Sequence, residues 1–379
     1  MKRRQSNPAR RAPRFAALGL TAIALAVPLA VGATYFGRAE GAVYSLSNAP
    51  SGNRVLIFDR MSDGSLDPRR SFPTGGNGTG GGLGNQGALA LSDSGNWLLA
   101  VNPGSDSISV FLVFGNHLLR TDVESSRGMQ PVSVAIEDDI VYVLNAGSDN
   151  VQGFRLAVHG KLIPIPGSRR TLSARGAGAA QVSFNRAGDL LAVTEKATNR
   201  VLTFAVDGDG KLGETNVQDS PAPTPFGFAF GRRDQMLVSE AAGGAAAAST
   251  LTSWQLRADG SASPITAAVP SQQTAACWVA VTRDGRYAYV ANTGSNNLST
   301  YVVDEDGAAS LADAIAAQTG AGSAPADLAL DRGSRFLYAL NPGTGSISAF
   351  RVGTDGALQL IEHQATGAAV GGATGLVAR

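Results

Sequence analysis

The sequence is poor in the residue types that build disulfide frameworks, aromatic-rich cores and strongly charged surfaces. It holds one cysteine, Cys277, which excludes an intrachain disulfide. Aromatic residues make up 6% of the 379 residues, and 31 Lys plus Arg nearly balance 30 Asp plus Glu. This balance excludes the basic footprint of a nucleic-acid-binding protein. We therefore predict no nucleic-acid partner.

Histidine is also scarce, and its three positions disfavour two classes of active site. His117 and His159 fall in predicted outer hairpin turns, and His363 falls in the last outer strand. This placement disfavours a three-histidine metal site and a histidine-activated nucleophile. The sequence also lacks the Gly-x-Ser-x-Gly elbow of the α/β-hydrolases. We predict neither a metal nor a cofactor.

What the chain does contain is a repeated pattern of short strands and tight turns. The clearest copy is WVAVTRDGRYAYVANTGSNNLSTYVVDEDG at 278–307, and related copies lie at 97–111, 141–154 and 336–350. In each copy an Asn precedes an aromatic residue by nine positions: Asn102 and Phe111, Asn145 and Phe154, Asn292 and Tyr301, Asn341 and Phe350. Looser copies fall at Asn48, Glu195 and Glu240. A repeat of roughly 50 residues with several strands indicates a β-propeller.

The two ends of the repeat array complement each other. The first unit lacks an innermost strand before Ala42, whereas ATGLVAR after Gly372 resembles an innermost strand with nothing behind it. Pairing these ends would remove two open sheet edges. The sequence therefore predicts an all-β fold: a seven-bladed β-propeller over 41–379, closed by pairing of the C-terminal strand with the first blade.

The N-terminus has the pattern of an export signal. Residues 1–14 carry six basic side chains and no acidic one, and an almost wholly apolar run from Phe15 to Ala33 follows. We predict a signal peptide or an N-terminal membrane anchor over 1–36. In both cases the folded part is expected to be exported to the periplasm, the cell surface or the medium. Membrane contact is expected only through residues 15–35, if the segment stays uncleaved.

Three loops suggest ligand-binding motifs at first sight. The glycine run at 74–87 lacks the Gly-Lys-Ser/Thr of a phosphate loop, so we expect a flexible connection between blades. The segment 207–214 resembles a calcium loop, but Lys211 occupies a ligand position, so we expect a hairpin turn. The Ala/Gly-rich stretch 241–250 lengthens one loop of the fifth unit, and insertions in repeat proteins often lie on the binding face.

The geometry of a propeller blade predicts that a functional site lies at one end of the central channel. The innermost strand begins, and the second strand ends, on the same face, so residues at these places surround one channel mouth. Most units place Asn at the end of the second strand, whereas two consecutive units place Glu there. We predict catalytic roles for Glu195, Glu240 and Lys196. The predicted ligand-binding residues are Gln130, Gln181, Phe226, Trp278 and Asp327.

The same positions admit a structural interpretation. Asn side chains hydrogen-bond their own turns, and they tolerate left-handed backbone geometry. Phe226 and Trp278 have the size and shape of residues that pack between blades. Cys277 has the character of a small buried hydrophobe.

The repeated strand–Asp-Gly–strand–Val-Ala-Asn pattern, with hairpins such as Asp355-Gly356-Ala357-Leu358, resembles the seven-bladed lactonase-type propellers. That group contains 6-phosphogluconolactonase and carboxymuconate cyclase, and the segments 227–245 and 273–295 resemble an exported bacterial branch of it. The resemblance implies a set of charged site residues, of which Glu195 is kept. At the family's other charged positions this chain has Val132, Ala180-Gln181 and Glu240-Ala241. Phosphate recognition by an arginine cluster is therefore not expected at these positions.

Two functional hypotheses follow from the sequence. In the first, the protein hydrolyses a lactone or cyclic ester on the channel face, with Glu195 as general base and Lys196 or Gln181 as oxyanion donor. In this scheme Glu240 would raise the pKa of Glu195 by like-charge repulsion. In the second, the protein is a non-catalytic exported scaffold that binds a sugar, peptide or envelope component. Both are compatible with a small-molecule or carbohydrate ligand. Beside them stands a third interpretation, a structural surface protein without a small-molecule site. We expect a monomer.

Overall fold

The computed structural model describes residues 39–379. The predicted signal or anchor segment, 1–36, lies outside these residues. Within the described part, no helix has the length and apolar character needed to cross a membrane. The strands run in chain order: β1 Gly41–Leu46, β2 Arg54–Arg60, β3 Leu66–Pro73, β4 Leu89–Leu91, β5 Trp97–Asn102, β6 Ser107–Phe114, β7 His117–Ser125, β8 Pro131–Glu137, β9 Ile140–Asn145, β10 Asn150–Leu156, β11 Leu162–Pro164, β12 Arg170–Thr171, β13 Ala179–Phe184, β14 Leu190–Glu195, β15 Arg200–Ala205, β16 Asn216–Asp219, β17 Pro225–Phe230, β18 Gln235–Glu240, β19 Thr250–Leu256, β20 Ala262–Pro270, β21 Ala276–Val281, β22 Tyr287–Asn292, β23 Asn297–Val303, β24 Ala309–Gln318, β25 Leu328–Leu330, β26 Phe336–Asn341, β27 Ser346–Val352, β28 Leu358–Ala365 and β29 Thr374–Ala378.

These strands form seven antiparallel sheets, which confirms the predicted seven-bladed propeller. Blade one has the order β29-β1-β2-β3, and blades two to seven follow in chain order, beginning with β4, β8, β13, β17, β21 and β25. Blade three divides its outer strand into β11 and β12. A short 3₁₀ helix, Ala242–Gly244, follows β18 within the predicted loop insertion.

The C-terminal strand closes the ring as predicted. β29 pairs antiparallel with β1, with Tyr44 opposite Val377 and Ser45 opposite Leu376. The carboxylate of Asp327 in blade seven accepts the Leu376 N–H at 3.0 Å, which fastens the closing strand to the neighbouring blade. The closure satisfies the inner edge of β1, which would otherwise be open.

Adjacent blades are held together by apolar packing and by recurring hydrogen bonds. Tyrosines on second strands reach the hairpin turns of the next blade. Tyr142 donates to the Gly210 carbonyl at 2.7 Å, and Tyr338 donates to the Gly64 carbonyl at 2.9 Å. The predicted hairpin at 207–214 is confirmed, because one oxygen of Asp207 accepts the backbone N–H of Asp209 and of Lys211.

Each innermost strand pairs on one side only, so its other edge faces the central channel. Seven such edges bring unpaired backbone N–H and C=O groups to one axis, where they need water, side chains or a ligand. We call the end where the innermost strands begin the upper face, and the end where they finish the lower face. The predicted site lies on the upper face.

Candidate functional site: the two ends of the central channel

The glycine-rich loop 74–87 inserts into the upper end of the channel, which corrects the prediction of a flexible connection. Asn85 and Gln86 are 3% and 9% exposed. The Gln86 N–H donates to the Ala180 carbonyl at 3.1 Å, and its side-chain amide bonds both the N–H and the C=O of Val279. Since Ala180 belongs to blade four and Val279 to blade six, the loop crosses the channel.

Small residues make room for this insertion. A Cβ atom at Gly227 would lie 2.1 Å from the Gln86 side-chain oxygen, so only glycine allows the loop to approach β17. Gly87 has φ +81°, a left-handed conformation that turns the chain from the channel into blade two. The glycines therefore serve close approach and turning, and the inserted loop satisfies open strand edges of several blades.

Three of the predicted site residues meet beneath this loop. Phe226 and Trp278 contact each other with ring centroids 5.0 Å apart, and the Lys196 ammonium lies 4.8 Å above the Phe226 ring. The Trp278 indole N–H donates to the Asn85 carbonyl at 2.7 Å, and Lys196 donates to the Gly84 carbonyl. Burial lowers the pKa of Lys196. Each polar atom in this group is thus bonded to the loop that fills the channel end.

Glu195 is fully buried, and both of its carboxylate oxygens accept hydrogen bonds. One oxygen accepts the Ser173 backbone N–H at 2.8 Å, and the other accepts the Ser173 and Thr198 hydroxyls. Arg200 in turn donates to the Ser173 hydroxyl at 3.2 Å. The carboxylate therefore anchors the loop that leads into blade four, and its geometry leaves no oxygen directed at a cavity.

Glu240 is also fully buried, within the neighbouring blade. Its carboxylate accepts the Thr250 hydroxyl at 2.7 Å and the Ser220 hydroxyl at 3.4 Å. Burial raises the pKa of Glu240 to about 7, whereas hydrogen bonds from nearby hydroxyls oppose this rise. Within residues 39–379, Glu195 and Glu240 share no hydrogen-bond partner, and neither carboxylate forms a hydrogen bond or an ion pair with the Lys196 ammonium.

The repeated Asn positions bind turns in the same way. Asn102, Asn292 and Asn341 are fully buried and donate to side chains at the start of the next strand, for example Asn292 to Ser299 at 2.8 Å. Of the seven repeat positions, only Asn48 has positive φ. These Asn residues therefore stabilise the turn through side-chain hydrogen bonds across it. Glu195 and Glu240 occupy the equivalent positions of blades four and five.

The remaining predicted ligand residues link strands or face solvent. Gln181 bonds both the N–H and the C=O of Phe228, at 2.7 and 2.9 Å, and so joins blades four and five. Asp327 accepts the N–H of Leu328 and of Leu376, and burial raises its pKa to about 8. Gln130 is exposed, and its N–H donates to Asp106. Polar residues placed by the repeat at the strand starts thus serve mainly as inter-blade contacts.

A cavity lies in the lower half of the channel, on the opposite face from the prediction. Its volume is about 760 Å³, and Gln86, Gly87, Gln181 and Asp327 form its inner end. Innermost strands of blades one, two, three, four and seven form its walls. The inserted loop fills the upper end, so the channel is a blind pocket that opens at the lower face.

The mouth of this pocket carries charges of both signs. Asp93, in the turn after β4, and Glu137, the last residue of β8, contribute carboxylates. The turns after the innermost strands of blades four, six and seven place Arg186, Arg283 and Arg332 at the same mouth. The mouth therefore holds two acidic and three basic side chains.

Three of these charged side chains have no internal hydrogen-bond or ion-pair partner among residues 39–379, namely Asp93, Glu137 and Arg283. Arg186, in contrast, donates to the Arg283 and Thr282 carbonyls, and Arg332 donates to the Asp93 carbonyl. Burial, followed by the like charges of Asp93 and Asp138, raises the pKa of Glu137 to about 7. The half-buried carboxyl group of Glu137 therefore has a pKa close to neutral pH, and it lines the same cavity as the free guanidinium of Arg283.

Sequence reasoning missed these lower-face residues. An arginine recurs in the turn after each of four consecutive innermost strands, namely Arg186, Arg232, Arg283 and Arg332. Aligning the turns of the repeats would therefore have indicated a basic rim at this face. The prediction used the start of each innermost strand and not its end. Within residues 39–379, no three His, Cys, Asp or Glu side chains form a group suited to a metal ion.

Comparison with protein families places this fold in a known group. The family model described as "Lactonase, 7-bladed beta-propeller" matches residues 51–171 and 241–327, more than half of the chain. The chain belongs to this lactonase family. The gap between the two matched segments covers blade four and the first two strands of blade five, so Glu195 and Lys196 lie in it. Comparison with curated proteins finds no match for this lactonase-family chain.

Solved structures share the fold at low sequence identity. A protein from Lactobacillus plantarum is 19% identical with a TM-score of 0.68, covering 89% of this chain and 99% of that protein. A suggested 6-phosphogluconolactonase from Bacteroides uniformis is 16% identical with a TM-score of 0.70, covering 88% of this chain and 98% of that one. A functionally unknown protein from Desulfotomaculum acetoxidans is 13% identical, with a TM-score of 0.67 and coverage of 89% and 98%. At these identities the likeness concerns the fold of the lactonase-family chain alone.

Proposed function

We propose that this lactonase-family protein hydrolyses a lactone or related cyclic ester in the lower half of its channel. The observation that carries the proposal is the blind cavity of about 760 Å³ in which the free carboxylate of Glu137 and the free guanidinium of Arg283 both lie. Family membership supports the reaction class. The volume suits a small cyclic ester, since ligand pockets of several hundred Å³ are typical for small molecules.

The proposed chemistry needs one base and one group that stabilises negative charge. Glu137, with its pKa raised to about 7, removes a proton from water as the water oxygen attacks the ester carbonyl. Arg283 stabilises the oxyanion that forms. When the ring C–O bond breaks, the leaving alkoxide takes from Glu137 the proton that came from water, so the base is regenerated and the product is a hydroxy acid. The carboxylate of that product is again a partner for arginine.

A lactone panel tests this assignment. We expect Glu137→Gln to lower kcat/KM by at least about 100-fold, because general-base catalysis contributes that much or more. Arg283→Gln is expected to lower it by about the same factor. Glu305→Gln, an exposed carboxylate in an outer turn, is the matched control and should retain wild-type activity. Equal hydrolysis by wild type and Glu137→Gln would refute the role of Glu137.

The same panel includes the base predicted from the sequence. Glu195→Gln tests whether the buried carboxylate takes part in chemistry, although both of its oxygens are already bonded. We expect this variant to lose stability but to keep most of its kcat/KM at a temperature where it is folded. Selective loss of kcat/KM by folded Glu195→Gln would instead favour the upper face.

A non-catalytic binding protein is the second candidate function. The observation that favours it is that Glu195, Glu240 and Lys196 are all engaged by the fold, while the lower pocket stays open and polar. In this case the pocket binds a sugar, peptide or envelope component without turnover. Calorimetry with such ligands would then show binding that Glu137→Gln weakens, and no lactone would be hydrolysed by wild type.

Export and the monomeric state also belong to the proposal. The basic and apolar pattern of residues 1–36 supports transfer of the propeller out of the cytoplasm. Cell fractionation and mass measurement of the mature protein test export and cleavage together. Light scattering of the purified protein tests the expected monomer.

A further inference from the structure

A second cavity of about 450 Å³ lies at the seam where the ring closes, between blades seven and one. We call it the seam cleft. It is lined by Ala39, Glu40, Gly41, Arg60, Gly115, Asn116, Asp331, Arg332, Gly333, Arg335 and Arg379. Arg332 also lines the mouth of the channel pocket, so the two cavities are neighbours on the lower face.

The guanidinium group of Arg60 is a buried positive charge in this cleft. Arg60 is 4% exposed, and its guanidinium lies over the ring of Phe336, 5.7 Å from the centroid. Its Nε donates to a main-chain oxygen of the last residue, Arg379, at 3.2 Å, and its Nη2 donates to the Glu40 carbonyl at 3.4 Å. Among residues 39–379, its Nη1 has no hydrogen-bond partner. A buried guanidinium N–H without an acceptor is costly, so this position favours an added anion.

The other charges of the seam cleft leave it net positive. Four arginines line it, namely Arg60, Arg332, Arg335 and Arg379, against the carboxylates of Glu40 and Asp331. The Nε of Arg379 is a second buried donor without a partner in the described part of the chain. With the main-chain carboxylate of Arg379, the last residue of the sequence, also counted, the described residues leave one net positive charge in this cavity, and two when the Glu40 side chain points to solvent.

Glu40 shows where an anion sits in this cleft. One of its carboxylate oxygens lies 3.5 Å from Arg335 Nη2 and 4.0 Å from Arg60 Nη1. Both contacts are longer than a good charge-assisted hydrogen bond, and the side chain is 44% exposed. The Glu40 carboxylate is thus a loosely held internal anion between two guanidinium groups.

We propose that the seam cleft binds a compact dianionic oxyanion of the size of phosphate or sulfate. A dianion matches the two positive charges that remain once the Glu40 carboxylate has left the cleft, and guanidinium groups bind tetrahedral oxyanions through paired N–H donors. The anion displaces the Glu40 side chain toward solvent and accepts from Arg60 Nη1 and Arg335. This site is separate from the proposed catalytic pocket and does not depend on lactone hydrolysis.

Titration calorimetry on the full chain, in a phosphate-free buffer at constant ionic strength, tests the proposal. Phosphate and sulfate are expected to bind saturably with one site per chain, and acetate at least about tenfold more weakly, since it carries one charge. Glu40→Gln removes the competing carboxylate and should tighten phosphate binding severalfold. Arg335→Gln should weaken phosphate binding about tenfold or more, the usual effect of losing a charged hydrogen bond.

Arg351→Gln is the matched control. Arg351 lies over the same Phe336 ring as Arg335, at 5.3 against 5.4 Å, but it does not line the cleft. Its removal should leave phosphate binding unchanged. Lack of saturable binding in both wild type and Glu40→Gln would overturn the proposal, as would equal loss in Arg335→Gln and Arg351→Gln. Unchanged lactone hydrolysis in all of these variants would be consistent with it.

Discussion

Gln86 and Val279 are joined across the central channel by a pair of hydrogen bonds. The Gln86 amide N–H donates to the Val279 carbonyl at 2.9 Å, and the Val279 N–H donates to the Gln86 carbonyl oxygen at 3.1 Å. Gln86 lies in the inserted loop that precedes blade two, and Val279 lies in blade six, so this contact ties opposite sectors of the ring. It also sets which end of the channel is open.

We expect Gln86→Glu to destabilise the protein strongly. A carboxylate accepts the Val279 N–H but cannot donate to its carbonyl, and it places a charge in a site that is 9% exposed. The expected loss is about 2–4 kcal/mol of unfolding free energy. Urea unfolding measures it, with Gln359→Glu on the exposed surface of β28 as the control. A loss no larger than that of the control would mean that the loop does not hold the ring.

Tyr338 gives a test of the contacts between blades seven and one. Its hydroxyl donates to the Gly64 carbonyl at 2.9 Å across the closing seam. Tyr338→Phe is expected to lower the unfolding free energy by about 1 kcal/mol or somewhat more. Tyr301 provides a graded comparison, because its hydroxyl reaches the Val269 carbonyl only at 3.4 Å. Thermal unfolding should therefore show a smaller loss for Tyr301→Phe.

Glu240 should make the protein less stable as pH rises. Burial raises its pKa from 4.5 to about 7, so the folded state favours the protonated form. This contribution is fully present below about pH 4.5 and is lost as pH rises through about 7. Glu240→Gln keeps a neutral group that the Thr250 and Ser220 hydroxyls can still bond. Its stability relative to wild type should therefore increase with pH, by up to about 3 kcal/mol above pH 8.

Melting temperatures between pH 5 and pH 9 check this prediction. Glu214→Gln, on an exposed turn, is the control and should follow the wild-type curve. A constant difference between Glu240→Gln and wild type over this range would contradict the assigned cause.

The fold was predictable because the repeated pattern specifies both the hairpin turns within each blade and the closure of the ring. Asp-Gly hairpins such as Asp207 to Gly210 specify their turns through side-chain acceptors and a positive φ. The missing first strand and the surplus last strand specified the closure between β29 and β1. These features depend on residues near one another in sequence, or on a simple count of strands.

The site was less predictable because it depends on contacts between distant blades. The sequence placed Glu195 and Glu240 correctly at the ends of second strands, but their buried hydroxyl and N–H partners come from other loops. Gln86 lies 193 residues from Val279, and no local pattern indicates that a glycine-rich loop will cross a channel. Because the loop fills the upper end, the open cavity lies toward the lower face, where Glu137 and Arg283 both line it.

The pH dependence of lactone hydrolysis tests the environment of Glu137. With its pKa raised to about 7, kcat/KM should rise with pH through that value, as the base loses its proton. The Asp93 carboxylate contributes to this rise by like-charge repulsion, and Asp138 contributes less. Asp93→Asn should therefore move the midpoint of the profile to lower pH, and Asp138→Asn should move it by a smaller amount in the same direction. Because repulsion acts through charge alone, the shift caused by Asp93→Asn should decrease at high salt. A midpoint that stays fixed in both variants would show that another group controls the rate.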